Sequence, residues 1–152
     1  MASREFRPRN PFVLRLTLLA LCVVACTAPQ QAPREWNATL HVTGGFAGVD
    51  RSLDVKSDGQ LTATDRRADR QVSGRVPARE LPALSNLIAN ASLADSSRSS
   101  ACRDCFQYEI SVRIDGKTGT ARTNDTGAGP LQPLVRTLIS LLNRALSGEL
   151  AR

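Results

Sequence analysis

The chain has 152 residues, a formal net charge of +6 and only 4% aromatic residues. That length suits one domain. Residues 1–25 hold four arginines and one glutamate, a net +3, which leaves +3 of the +6 on residues 26–152. No concentrated basic stripe or recognisable nucleic-acid module accompanies that remainder, so no nucleic-acid partner is expected.

The first segment reads as an export signal. "MASREFRPRNPFVLR" is basic, and "LTLLALCVVA" (Leu16 to Ala25) is a short apolar run. A basic stretch followed by a short apolar one is the anatomy of a secretory signal. The run is too short to span a bilayer, which needs about 20 residues. Val23, Val24, Ala25 and Cys26 resemble a bacterial lipobox. The resemblance implies cleavage before Cys26, acylation of Cys26 and a firm membrane anchor, because a single acyl chain binds only marginally. Thr27, not aspartate, follows the cysteine; by resemblance to lipoproteins of two-membrane bacteria, that implies the outer membrane. An ordinary secretory signal cut nearby is the plainer alternative. "TAPQQAPRE" (Thr27 to Glu35) has two prolines and no periodicity. Residues 26–35 therefore read as a flexible tether, and residues 36–148 as the folded domain.

The domain opens on "WNATLHVT". Trp36, Ala38, Leu40 and Val42 alternate with polar residues, the period of a strand with one buried face. His41 falls on its polar face. After "GGFAG", the segment "VDRSLDVK" resumes the alternation through Val49, Leu53 and Val55, with Arg51 out of pattern. Ser57 to Gly59 supply a turn, and "QLTAT" completes a three-strand meander. "DRRADR" (Asp65 to Arg70) reads as a solvated bend, and "QVSGRV" as a short edge strand. In "PARELPALSNLIAN" (Pro77 to Asn90), Leu81, Leu84, Leu87 and Ile88 form a helical stripe. Pro82 then belongs in the first turn or marks a break. A serine-rich connection follows.

"FQYEISVRI" is the clearest strand, with Phe106, Tyr108, Ile110, Val112 and Ile114 on one face. Asp115 and Gly116 are the signature of a two-residue hairpin, and "KTGTARTN" returns as its partner. "PLQPLVRTLISLLNRAL" is a second amphipathic helix, stopped at Ser147 and Gly148. The expected class is α+β: an antiparallel sheet of about four to five strands with two amphipathic helices packed on one face.

Of the four cysteines, Cys22 leaves with the signal and Cys26 is the lipid site. Cys102 and Cys105 remain. An exported compartment permits a disulfide between them. A redox Cys-x-x-Cys calls for a helix after the motif, whereas a strand follows here, so a structural disulfide is the better reading. Zinc needs about four ligands, and His41 is the sole histidine. No metal or cofactor is expected. There is no His-Glu-x-x-His, Gly-x-Ser-x-Gly or phosphate-binding loop. Asp104 and Glu109 are a weak carboxylate pair, because Glu109 sits on a strand's polar face. The reading is therefore not an enzyme.

"TGGFAGVDR" and "FQYEISVRIDG" resemble the emfourin-like proteins, small bacterial inhibitors of thermolysin-like zinc metalloproteinases. The order of elements from about Trp36 to about Leu146 is similar as well. The resemblance implies a metalloproteinase target. It also implies an inhibitory loop of Gly44, Gly45, Phe46, Ala47 and Gly48, with Arg51 beside it. The lipobox and tether, the Cys102 and Cys105 pair and "DRRADR" depart from the family and leave the target open. A non-inhibitory envelope binding or scaffold lipoprotein of the same fold is the alternative. Phe46 has two conformations compatible with the sequence: exposed at the loop tip, or folded back over the sheet's core with glycines making the turn.

Overall fold

A computed structural model describes residues 34–93, 96–97, 102, 104–125 and 127–150. The expected signal, the lipid site Cys26 and most of the tether lie outside the described residues. Among the described residues, seven strands, two α-helices and a 3₁₀ turn (Gly129–Leu131) follow in order. They are β1 (Trp36–Gly44), β2 (Val49–Lys56), β3 (Gln60–Asp65), β4 (Arg70–Arg75), α1 (Leu81–Ala89), β5 (Ser96–Ser97), β6 (Phe106–Ile114), β7 (Lys117–Asn124) and α2 (Gln132–Leu146). The fold is α+β, and the sheet order is β4-β3-β2-β1-β6-β7-β5.

Six strands pair antiparallel, and the two-residue β5 adds to β7 in parallel. The expected four to five strands are therefore too few. The edge strand read in "QVSGRV" forms as β4, and the unexpected addition is β5, in the stretch read as a serine-rich connection. In "DRRADR", Asp65 Oδ1 accepts the Ala68 amide at 3.2 Å, and Asp69 takes a left-handed φ of 47°. The charged stretch is thus a tight turn, and β4 pairs with β3 from Gln60↔Arg75 to Asp65↔Arg70.

Alternation in sequence becomes one buried face. Leu40 pairs with Leu53 on one side and Ile110 on the other, and all three are fully buried. Each such side chain contributes about 2 kcal/mol of hydrophobic stabilisation. Leu134, Val135, Leu138, Leu141, Leu142, Ala145 and Leu146 of α2 join the same core, and α2 meets β1, β2, β3 and β4. α1 meets α2, and Trp36 Nε1 donates to Ser85 Oγ of α1 at 3.2 Å.

The helix ends follow their chemistry. Pro82 sits in the first turn of α1, where its missing N–H costs no helical bond. Residues Pro77 to Glu80 form a turn before the helix. Asn90 closes α1 by donating its side-chain amide to Asn86 O at 2.8 Å. Gly148, at φ 89°, ends α2. Arg144 then ties Glu80 (2.8 Å) and Glu149 (2.9 Å) together. Leu150, two residues beyond the expected end of the domain, is buried, and its carbonyl accepts the Arg75 amide.

One strand residue departs from its alternation. Phe106 belongs in sequence to the inward row of β6, yet it is 36% exposed. Its partner across the sheet is Gly44, which offers no side chain for the ring to pack on.

Candidate binding loop

Residues Gly45–Gly48 connect β1 to β2 in a four-residue turn, closed by Gly48 N donating to Gly45 O at 2.9 Å. Gly44, Gly45 and Gly48 have φ of 95°, 67° and 60°, a region other residues enter only under strain. The loop lifts one large side chain into water. Phe46 is 100% exposed, and Phe106 is the other exposed large hydrophobic among the described residues. The exposed alternative for Phe46 is the one realised.

The loop is braced from one side by the segment before β6. Gly45 N donates to Cys105 O at 3.3 Å. A Cβ on Gly44 would lie 2.7 Å from that same carbonyl, and one on Gly45 would lie 2.7 Å from the Phe106 ring. Cys102 and Cys105 form a disulfide with Cα atoms 5.5 Å apart, clipping the chain where it meets the glycines. Asp125, just after β7, accepts the Phe106 amide at 3.0 Å and the Tyr108 hydroxyl. Burial and then that carboxylate raise the Tyr108 pKa above its ordinary value.

The β3–β4 turn braces the other side. Arg67 donates to Gly48 O at 3.3 Å. The Arg66 amide donates to Asp50 O at 3.0 Å, and its guanidinium lies 3.7 Å from the Asp50 carboxylate. Arg51, expected beside the loop as a contact residue, is half-buried and bonded to the next strand. Its Nε donates to Asp65 Oδ2 at 2.8 Å, which, ahead of the Ala68 amide, lowers the Asp65 pKa.

A notch of about 190 Å³ opens beside the loop, walled by Val42, Val49, Phe106, Ile139 and Leu142, with Arg51 at its edge. A larger concavity, about 600 Å³, lies at the opposite end of the sheet between Trp36, Lys56, Arg113 and Asp115. Its walls carry both charges and it does not touch the loop.

The remaining candidate residues do not converge on chemistry. His41 binds Asp50 at 2.9 Å, and Glu109 pairs with Arg122 at 3.2 Å. No three His, Cys, Asp or Glu side chains group around a possible metal among the described residues. No described helix is long and apolar enough to cross a membrane. Sequence reading missed Phe106, Asp125 and Arg67 as supports of the loop. The one available signal was that Phe106 directly follows the cysteine pair.

This end of the sheet is thus a projecting aromatic on a braced glycine loop, with an apolar notch beside it. No protein-family model matches the chain, and neither a curated protein nor a solved structure matches it.

Proposed function

We propose that this protein is an emfourin-like inhibitor of thermolysin-like zinc metalloproteinases, carried as a lipoprotein on Cys26. The observation behind the proposal is the complete exposure of Phe46 at the tip of a turn braced on both sides. A large aromatic in water is a standing free-energy cost, and burying it in a partner's pocket releases about 2–3 kcal/mol. A braced turn loses little conformational freedom on binding, which strengthens association. The flanking glycines allow a partner's walls to approach the backbone.

In this reading the loop Gly44, Gly45, Phe46, Ala47 and Gly48 fills the active-site cleft and excludes substrate, with Phe46 in a hydrophobic specificity pocket. Inhibition is steric, with no chemistry by the inhibitor. Phe46 at the tip of the hairpin is fully exposed, so it is open to a partner. Residues 26–35 tether the domain near the membrane, placing it at the outer membrane to meet proteases that arrive there. No nucleic acid is involved.

The test is an inhibition assay of the chain beginning at residue 26, with Cys26→Ser, against a panel of zinc metalloproteinases. Inhibition of a thermolysin-like member with competitive kinetics supports the reading. Absence of inhibition across the panel, with the protein folded, rejects it in favour of a non-inhibitory envelope binding module.

A further inference from the structure

The hairpin end carries a projection and a recess next to each other. Phe46 stands fully exposed. The notch between Val42, Val49, Phe106, Ile139 and Leu142 measures about 190 Å³, and a cavity of about 150 Å³ already admits a benzene ring. Phe46 does not fill its own notch. The β1–β2 turn lifts it away, and the Phe106 ring, which lies against Gly45, forms part of the notch wall.

Charge is divided across the same end. The sheet order β4-β3-β2-β1-β6-β7 puts the β3–β4 turn on one flank of the Phe46 loop, and the start of β6 with the end of β7 on the other. The first flank exposes Arg66, Arg67 and Arg70 against Asp69, with Arg66 also 3.7 Å from Asp50 and Arg67 donating to Gly48 O. Asp65, beside them, is already matched by Arg51. The second flank exposes Asp104 and Asp125, the latter also accepting the Phe106 amide and the Tyr108 hydroxyl.

We propose that this end binds a second copy of the same chain about a two-fold axis normal to the sheet. Such an axis sets each Phe46 against the other copy's notch and each arginine flank against the other's aspartate flank. A two-fold interface requires a self-complementary patch, in which i meets j and j meets i. A projection beside a recess, with basic charge on one side and acidic on the other, meets that requirement. A partner with another surface would have to supply both complements independently. The pairing goes beyond protease inhibition and does not rest on it. It would withdraw Phe46 from water whenever no other partner is bound.

The test uses the full chain expressed in a bacterial envelope with p-benzoylphenylalanine in place of Phe46, an exposed position where the fold is not at stake. Irradiation is expected to yield a covalent dimer whose cross-link joins position 46 to the notch peptide containing Ile139. Ile139→Trp, which fills the notch, is expected to remove the dimer band. So is Arg70→Glu, on the basic flank but outside the loop brace, and so is Asp104→Lys. Combining the two charge reversals in one chain is expected to restore it, because both contacts are then reversed together. A cross-link only to other proteins, no cross-link, or a dimer band indifferent to these changes would overturn the proposal. None of these outcomes depends on protease inhibition, which is measured separately.

Discussion

The Phe106 ring lies over Gly45 so closely that a Cβ on that glycine would come within 2.7 Å of it. The two residues are far apart in sequence, and their contact is what joins the cysteine clip to the turn that carries Phe46. The hairpin is therefore held by more than its own closing hydrogen bond.

Graded glycine substitutions test the brace. Gly44→Ala is expected to cost the most, about 2–3 kcal/mol, because φ is 95° and the new Cβ meets the fixed Cys105 carbonyl at 2.7 Å. Gly45→Ala is expected to cost less, since the Phe106 ring it strikes can turn. Gly48→Ala is expected to cost about 1 kcal/mol, as only the flexible Arg67 guanidinium lies near, at 3.3 Å. Urea denaturation followed by the single tryptophan, Trp36, ranks the three.

The disulfide has a local effect larger than its global one. Closing so short a loop contributes about 2 kcal/mol by the chain-entropy relation. Replacing both Cys102 and Cys105 by serine is expected to lower stability by no more than about that amount. Hydrogen exchange at the Gly45 amide, which donates to Cys105 O, is expected to accelerate by a larger factor than exchange at the β1 amides. Uniform acceleration across β1 would show that the clip acts on the whole sheet.

Tyr108 provides a titration without ambiguity, because the chain has one tyrosine. Burial and the Asp125 contact raise its folded pKa, while the unfolded value stays near about 10. Its contribution to stability is thus complete below about pH 10 and is lost as pH rises toward the folded value. The ultraviolet phenolate band is expected to appear only well above pH 10, together with unfolding of the tryptophan signal. Asp125→Asn is expected to lower that midpoint. A phenolate band centred near pH 10 in the folded protein would contradict the buried pairing.

Strands and helices were legible where burial alone decides them. Trp36, Ala38, Leu40 and Val42 alternate without interruption, and the stripe of α2 runs from Leu134 to Leu146, so period predicted element and inward face together. Reading failed where a non-local contact decides. Phe106 continues the alternation of β6 but faces a glycine across the sheet, which only the β1–β6 register reveals. Arg51 sits in an inward row of β2, and its place is set by Asp65 on the next strand. The two-residue β5 has no periodicity to read. At the loop, "GGFAG" announced the turn and its aromatic. Whether Phe46 faced water depended on Cys105, Phe106 and Arg67, none of them near it in sequence.

The proposed function requires that Phe46 be displayed for a partner and carry no weight in the fold. Phe46→Ala should leave the unfolding free energy within about 0.5 kcal/mol of the parent, as an exposed side chain would. The direct measurement is the inhibition constant of parent and Phe46→Ala chains against a thermolysin-like metalloproteinase, with stability measured on the same samples. If Phe46 is the buried anchor, Phe46→Ala is expected to weaken the constant at least roughly hundredfold at unchanged stability. Equal inhibition by the two folded proteins would contradict that role.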